Sequence, residues 1–184
     1  MRLFVAVELP DAVRTALREG LGRLKRDLPA ARWVRVEGMH LTLKFLGEQD
    51  AGVCEALASA SAPAFSTLAP VEVRLGGGGF FPNAHRARVA WVGGQAPGLD
   101  GWARALEAAA ERLGIAREER PFAVHLTLAR LERPWGERAI DTFVHHVSRW
   151  SLPPFVAREA VVFRSELKPS GADYTAVLRI AAGA

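Results

Sequence analysis

A chain of 184 residues, 49% hydrophobic and 24% charged, is long enough to bury a core without disulfide or metal staples and too apolar to remain disordered. The formal net charge is +4, and the positive excess is nearly all arginine, since Lys25, Lys44 and Lys168 are the only lysines. Arginine's planar fork suits phosphate oxygens, so the balance fits an anionic partner, although an arginine-biased solvated surface gives the same charge.

In chain order, Leu3–Leu9 predicts a strand closed by Pro10-Asp11. A helix follows, with Val13, Leu17, Leu21, Leu24 and Leu28 at a period near 3.6. Trp33–Val36 and His40–Leu46 read as strands, Ala51–Ala62 as a helix and Val71–Leu75 as a strand. The order then recurs: strand Arg88–Val92, a helix marked by Leu99, Trp102, Leu106, Ala110 and Leu113, and strand Phe122–Leu128. A helix on Ile140, Phe143, Val144 and Val147 precedes strands Val156–Phe163 and Tyr174–Ile180, joined by a turn at Pro169-Ser170-Gly171. The lone cysteine, Cys54, sits in a helical pattern as a buried inert thiol; with no disulfide possible, a reducing cytoplasmic setting is expected. The apolar run Leu3–Val7 ends at Glu8, too early for a signal peptide, and no stretch approaches the ~20 apolar residues that span a bilayer. A soluble monomer is expected, with no membrane attachment.

From Leu3 to His40 is 37 positions, and from Arg88 to His125 again 37. Such self-similarity predicts an α+β fold of two pseudo-symmetric lobes, each a mostly antiparallel sheet backed by helices, with a groove between them. The lobe boundary is expected near Gly76–Asn83, with residues 1–184 one bilobal domain because strands can cross the middle.

The repeat carries chemistry. His40-Leu41-Thr42-Leu43 and His125-Leu126-Thr127-Leu128 are identical, in a chain with five histidines. Strand alternation places His and Thr of each copy on one face, facing the groove, with the leucines turned to the core. Pseudo-twofold symmetry then opposes two imidazoles and two hydroxyls. One neutral imidazole can take a proton from water while the other, protonated, gives one to a leaving ribose oxygen; Thr42 and Thr127 can hydrogen-bond the non-bridging phosphate oxygens. A single His-X-Thr would be an ordinary half-buried polar face; two copies in register are not. Two histidines with no acidic or cysteine cluster make a poor zinc set, so neither a metal nor another cofactor is expected. Gly76–Gly79 lacks the Lys-Ser/Thr of a phosphate loop and fits a bulge.

These motifs resemble the 2H phosphoesterase superfamily and, more closely, the bacterial RNA 2′,3′-cyclic phosphodiesterase family, also called 2′-5′ RNA ligases. The resemblance runs over nearly the whole chain: Arg2–Pro10, His40–Glu48, Gly79–Asn83, Pro121-Phe122 with His125–Arg130, and Ser165–Pro169 with Gly171 and Tyr174. Val124 departs from it, standing where relatives carry proline. The resemblance implies metal-free opening of RNA 2′,3′-cyclic phosphate ends, or of small cyclic nucleotides, to 2′-phosphates, with reversible 2′-5′ RNA ligation at the same centre. It implies His40 as proton donor to the 3′ oxygen and His125 as the base on water; the residues alone do not orient the pair. The alternatives are a non-catalytic RNA-binding module using the same basic groove and a metal-dependent phosphohydrolase.

At the edges of the site, Lys44 shares the parity of His40 and Thr42, which reads either as a phosphate-binding residue of the groove or as a solvated charge at the strand end. Arg130 has the wrong parity, yet the resemblance places a phosphate-binding arginine there, which requires the strand to end or twist near Ala129. Phe80 and Phe81 are core candidates, with Phe81 a possible base-stacking residue. His85 is expected in a basic loop, and His145 and His146 on the surface of their helix.

Overall fold

The computed structural model describes residues 1–168 and 171–183; the expected turn at Pro169-Ser170-Gly171 falls partly outside them. Strands β1 (Arg2–Glu8), β2 (Arg32–Trp33), β3 (His40–Glu48), β4 (Val71–Phe81), β5 (Val89–Gln95), β6 (His125–Arg130), β7 (Phe155–Ala157), β8 (Glu159–Lys168) and β9 (Gly171–Ala181) accompany helices α1 (Asp11–Asp27), α2 (Gly52–Phe65), α3 (Leu99–Arg112) and α4 (Glu137–Ser148). Two sheets form, in strand orders β3-β1-β8-β9 and β2-β6-β5-β4-β7, and every pairing within them is antiparallel.

The expected lobes are present with strands exchanged across the chain. The first sheet takes β8 and β9 from the second half, and the second takes β2 and β4 from the first. The glycine run is therefore no lobe boundary: β4 passes straight through it, with a pairing irregularity between Leu75 and Gly78. Gly79 has no room for a side chain, because a Cβ there would stand 2.4 Å from the Trp91 indole lying across it.

One hydrophobic core joins helices and sheets, from Val13, Leu17 and Leu24 of α1 through Leu57 and Trp102 to Phe143 and Val147 of α4. Gly20 of α1 admits the Trp150 ring, which a Cβ would meet at 2.6 Å. Strand β1 is buried along both faces from Leu3 to Val7, because helices cover one side and the groove's aromatic floor the other.

Some elements differ from expectation for identifiable reasons. Trp33–Val36 shortens to β2 because Arg14 captures the Val36 and Glu37 carbonyls (3.2 and 2.9 Å) and a 3₁₀ turn, Val36–Gly38, forms instead. β6 starts at His125 rather than Phe122, since the Ala123 carbonyl is occupied by the His125 ring. On α4, Phe143 and Val147 are buried but Val144 is 40% exposed. Cys54 is buried, as expected.

Candidate active site

β3 and β6 approach each other where the two sheets meet, and each carries one His-Leu-Thr-Leu copy with the leucines buried and His and Thr half-exposed. Both copies share a distortion. Ala6 pairs with Thr42 and the next residue, Val5, with Lys44, skipping Leu43; Trp91 pairs with Thr127 and Ala90 with Ala129, skipping Leu128. An extra residue in a strand is a β-bulge, and it reverses the parity of everything beyond it. Arg130 is thereby turned onto the face of His125 and Thr127, where simple alternation would not place it, and it has no ion pair among the described residues.

The same bulge corrects the expectation for Lys44. Its side chain is 1% exposed and turned inward, with Nζ 2.8 Å from Glu107 Oε1 and 2.7 Å from the Ala116 carbonyl. The residue brought onto the groove face is Phe45, 55% exposed and the symmetry mate of Arg130. The signal for it was in the sequence: buried leucines run 41, 43, 46 in one copy and 126, 128, 131 in the other, a step of two followed by a step of three.

Each histidine is oriented by the carbonyl two residues before it. His40 Nδ1 lies 2.8 Å from the Gly38 carbonyl and His125 Nδ1 2.8 Å from that of Ala123. A carbonyl only accepts, so Nδ1 carries the hydrogen in both rings, which leaves Nε2 able to take or give a proton. Neither threonine hydroxyl has a hydrogen-bond partner among the described residues, so both are free to donate.

The surroundings of the two rings differ. His40 stacks on Phe4 (centroids 4.5 Å, 28°), with Phe163 at 6.2 Å and the Tyr174 edge at 5.1 Å. Burial there pushes its pKa down to about 4, and the Arg14 and His125 charges push the same way against the Gly38 hydrogen bond. His125 has one aromatic neighbour among the described residues, Phe81, in a T-shaped contact with centroids 5.0 Å apart. Phe81, packed on Trp91 at 5.2 Å, is half-buried and faces the site, whereas Phe80 is buried against Phe143 at 4.9 Å. His85 is exposed in a short 3₁₀ turn. His145 is exposed, and His146 pairs with Asp27 at 3.0 Å, remote in sequence from both motifs. A cleft of about 550 Å³ opens from Thr42 and His125 along Phe45 and Phe122. Among the described residues no cluster of three or more metal-ligating side chains occurs, and no helix is long and apolar enough to cross a membrane.

Facing antiparallel sheets that each offer one bulged strand with a carbonyl-anchored histidine and a free threonine define a two-histidine phosphoesterase architecture. The family model for LigT-like phosphoesterases matches residues 7–91 and again 93–174, and the chain belongs to that family. It is 34% identical to the RNA 2′,3′-cyclic phosphodiesterase of Thermus thermophilus, over 95% of this chain and 87% of that one. It is 32% identical to the protein of the same name from Archaeoglobus fulgidus, over 95% and 96%. A crystal structure of a Thermus thermophilus protein superposes with a TM-score of 0.79 at 31% identity, covering 99% of this chain and 98% of that one. Escherichia coli LigT complexed with 3′-AMP superposes at 0.75 and 26% identity, covering 98% and 97%.

Proposed function

We propose that this protein hydrolyses RNA 2′,3′-cyclic phosphate ends to 2′-phosphomonoesters, with His40 and His125 exchanging the protons. The observation that carries the reading is the pair of imidazoles, each fixed by a carbonyl at Nδ1 and each leaving Nε2 free beside an unengaged threonine. Water attacks phosphorus and gives its proton to His125; the bond from phosphorus to the 3′ oxygen breaks, and that oxygen leaves with the proton of His40. Thr42, Thr127 and Arg130 hold the non-bridging oxygens as negative charge builds on them. Phe45 and Phe81 flank the position of the terminal nucleoside, and a 5′ hydroxyl attacking phosphorus in place of water, giving its proton to His125 as the 3′ oxygen leaves, joins two RNA ends through a 2′-5′ bond. Both histidines come from one chain, so a monomer in the reducing cytoplasm suffices, with RNA as its partner.

The pKa of His40, about 4, bears on its role. A donor must hold a proton, and the phosphodiester anion seated between the rings supplies the opposite charge that favours one. One limb of the kcat/KM profile therefore falls near pH 4, and the corresponding limb of kcat lies higher.

The test is turnover, with chelator present, of a short RNA ending in a 2′,3′-cyclic phosphate. The expected product is a 2′-phosphate, and His40→Ala and His125→Ala each lose a factor of about 10² to 10⁴. Near-normal rates in either variant would contradict the mechanism. Retained RNA binding without turnover would instead favour the binding module.

A further inference from the structure

The cleft of about 550 Å³ that contains Thr42 and His125 offers more room than the cyclic phosphate alone requires. It is also lined by Arg104 of α3, by Arg117 and Arg120 of the segment leading to β6, and by the aromatic rings of Phe45 and Phe122. Lys44 and Glu107 also border it, but they neutralise each other, leaving three guanidinium groups against the single carboxylate of Glu118. Arg104 is tied to Asp100 and Arg117 to Glu111, at 2.6 and 3.8 Å, in pairs whose members are all more than half exposed. Such solvated pairs hold a guanidinium weakly and can be exchanged for a better anion. Arg120 has no ion pair among the described residues.

An RNA that ends in a 2′,3′-cyclic phosphate can continue in one direction only, through the 5′ oxygen of its last nucleoside. With the cyclic phosphate between the histidines, the next anion is the phosphodiester on that 5′ side. A single cleft that holds Thr42 and His125, aromatic rings and three arginines offers partners for a cyclic phosphate, a nucleoside and a further phosphate. We propose that Arg104, Arg117 and Arg120 bind the backbone phosphate immediately upstream of the cyclic end, so that the enzyme selects RNA chain ends over mononucleoside 2′,3′-cyclic phosphates. This rests on the phosphodiesterase reading above and adds the substrate class that the same groove prefers.

The experiment compares a dinucleotide ending in a 2′,3′-cyclic phosphate, which has one upstream phosphodiester, with the matching mononucleoside 2′,3′-cyclic phosphate, which has none. Loss of charge-assisted contacts in Arg117→Ala/Arg120→Ala lowers kcat/KM on the dinucleotide about 10- to 100-fold, leaving the mononucleoside rate unchanged. A matched-charge control, Arg23→Ala/Arg138→Ala, spares both substrates. Equal losses on both substrates, or none on either, would overturn the proposal. Binding of an oligoribonucleotide bearing a 2′-phosphate end is measured in parallel against salt. Each lost contact flattens the slope of log K against log salt by about 0.7. If the wild-type protein turned over neither substrate, the hydrolase reading would fail while this second measurement still decided the arginine site. A slope that the cleft variant and the control lower equally refutes it.

Discussion

Burial makes His40 unlike an ordinary imidazole, and stability should record the fact. Its folded pKa, about 4, lies below the unfolded value near 6.5. Between those values the unfolded chain binds the extra proton, so stability rises with pH across the window. The contribution is fully present above pH 6.5 and is lost as pH falls toward 4, with an upper limit of about 3 kcal/mol. Denaturant midpoints measured from pH 7.5 to 4 should show this loss in the wild type and a smaller one in His40→Gln, which cannot titrate. Parallel profiles would mean that the Phe4 stack does not exclude the charged ring. The histidines themselves were legible as a repeated four-residue motif, but their inequality was not. Phe4, Phe163 and Tyr174 come from three separate strands, and only the pairing of β1 with β8 and of β8 with β9 brings them to one ring.

At the scale of the element, the bulge in β3 and β6 decides which side chains face the groove. Strict alternation put Lys44 in the groove and Arg130 outside it; one skipped residue in each strand reverses both placements and introduces Phe45. Lys44 instead ties β3 to Glu107 of α3 and to the Ala116 carbonyl, and Glu107 also accepts the backbone N–H of Glu118 at 3.1 Å. The ion pair thus locks a first-half strand to a second-half helix and anchors the segment that carries Arg117 and Arg120. Lys44→Met leaves Glu107, 18% exposed, without its cation, and should cost about 3 kcal/mol, less than a wholly buried pair because water reaches the carboxylate. Lys44→Met/Glu107→Gln should recover part of it. Turnover of a mononucleoside cyclic phosphate by the folded single variant should stay near wild type. A large fall in kcat with stability unchanged would return Lys44 to the phosphate site.

Across the whole molecule, the 37-residue spacing repeated in each half announced the duplication and hence the two sheets, because hydrophobic period and motif position are local properties of the chain. Strand exchange was not legible in the same way. Whether β4 adds to the first sheet or the second depends on which edge is open after β1, β3, β5 and β6 have paired, and no short window of sequence holds that information. The exchange has an energetic consequence. Neither sheet can be completed by one half of the chain: the first needs β8 and β9, the second needs β2 and β4, and one core runs beneath both. A fragment of residues 1–87 would keep β1 and β3 as a two-stranded remnant, too small to stand alone. Equilibrium unfolding of the full chain should therefore be one cooperative transition. Far-UV circular dichroism reads both sheets, while tryptophan fluorescence samples the second through Trp33 of β2 and Trp91 of β5. The two probes should give coincident denaturation curves, and the 1–87 fragment should lack native secondary structure. Separate midpoints, or a folded fragment, would mean that the lobes are independent and that the exchanged strands add little to holding the groove together.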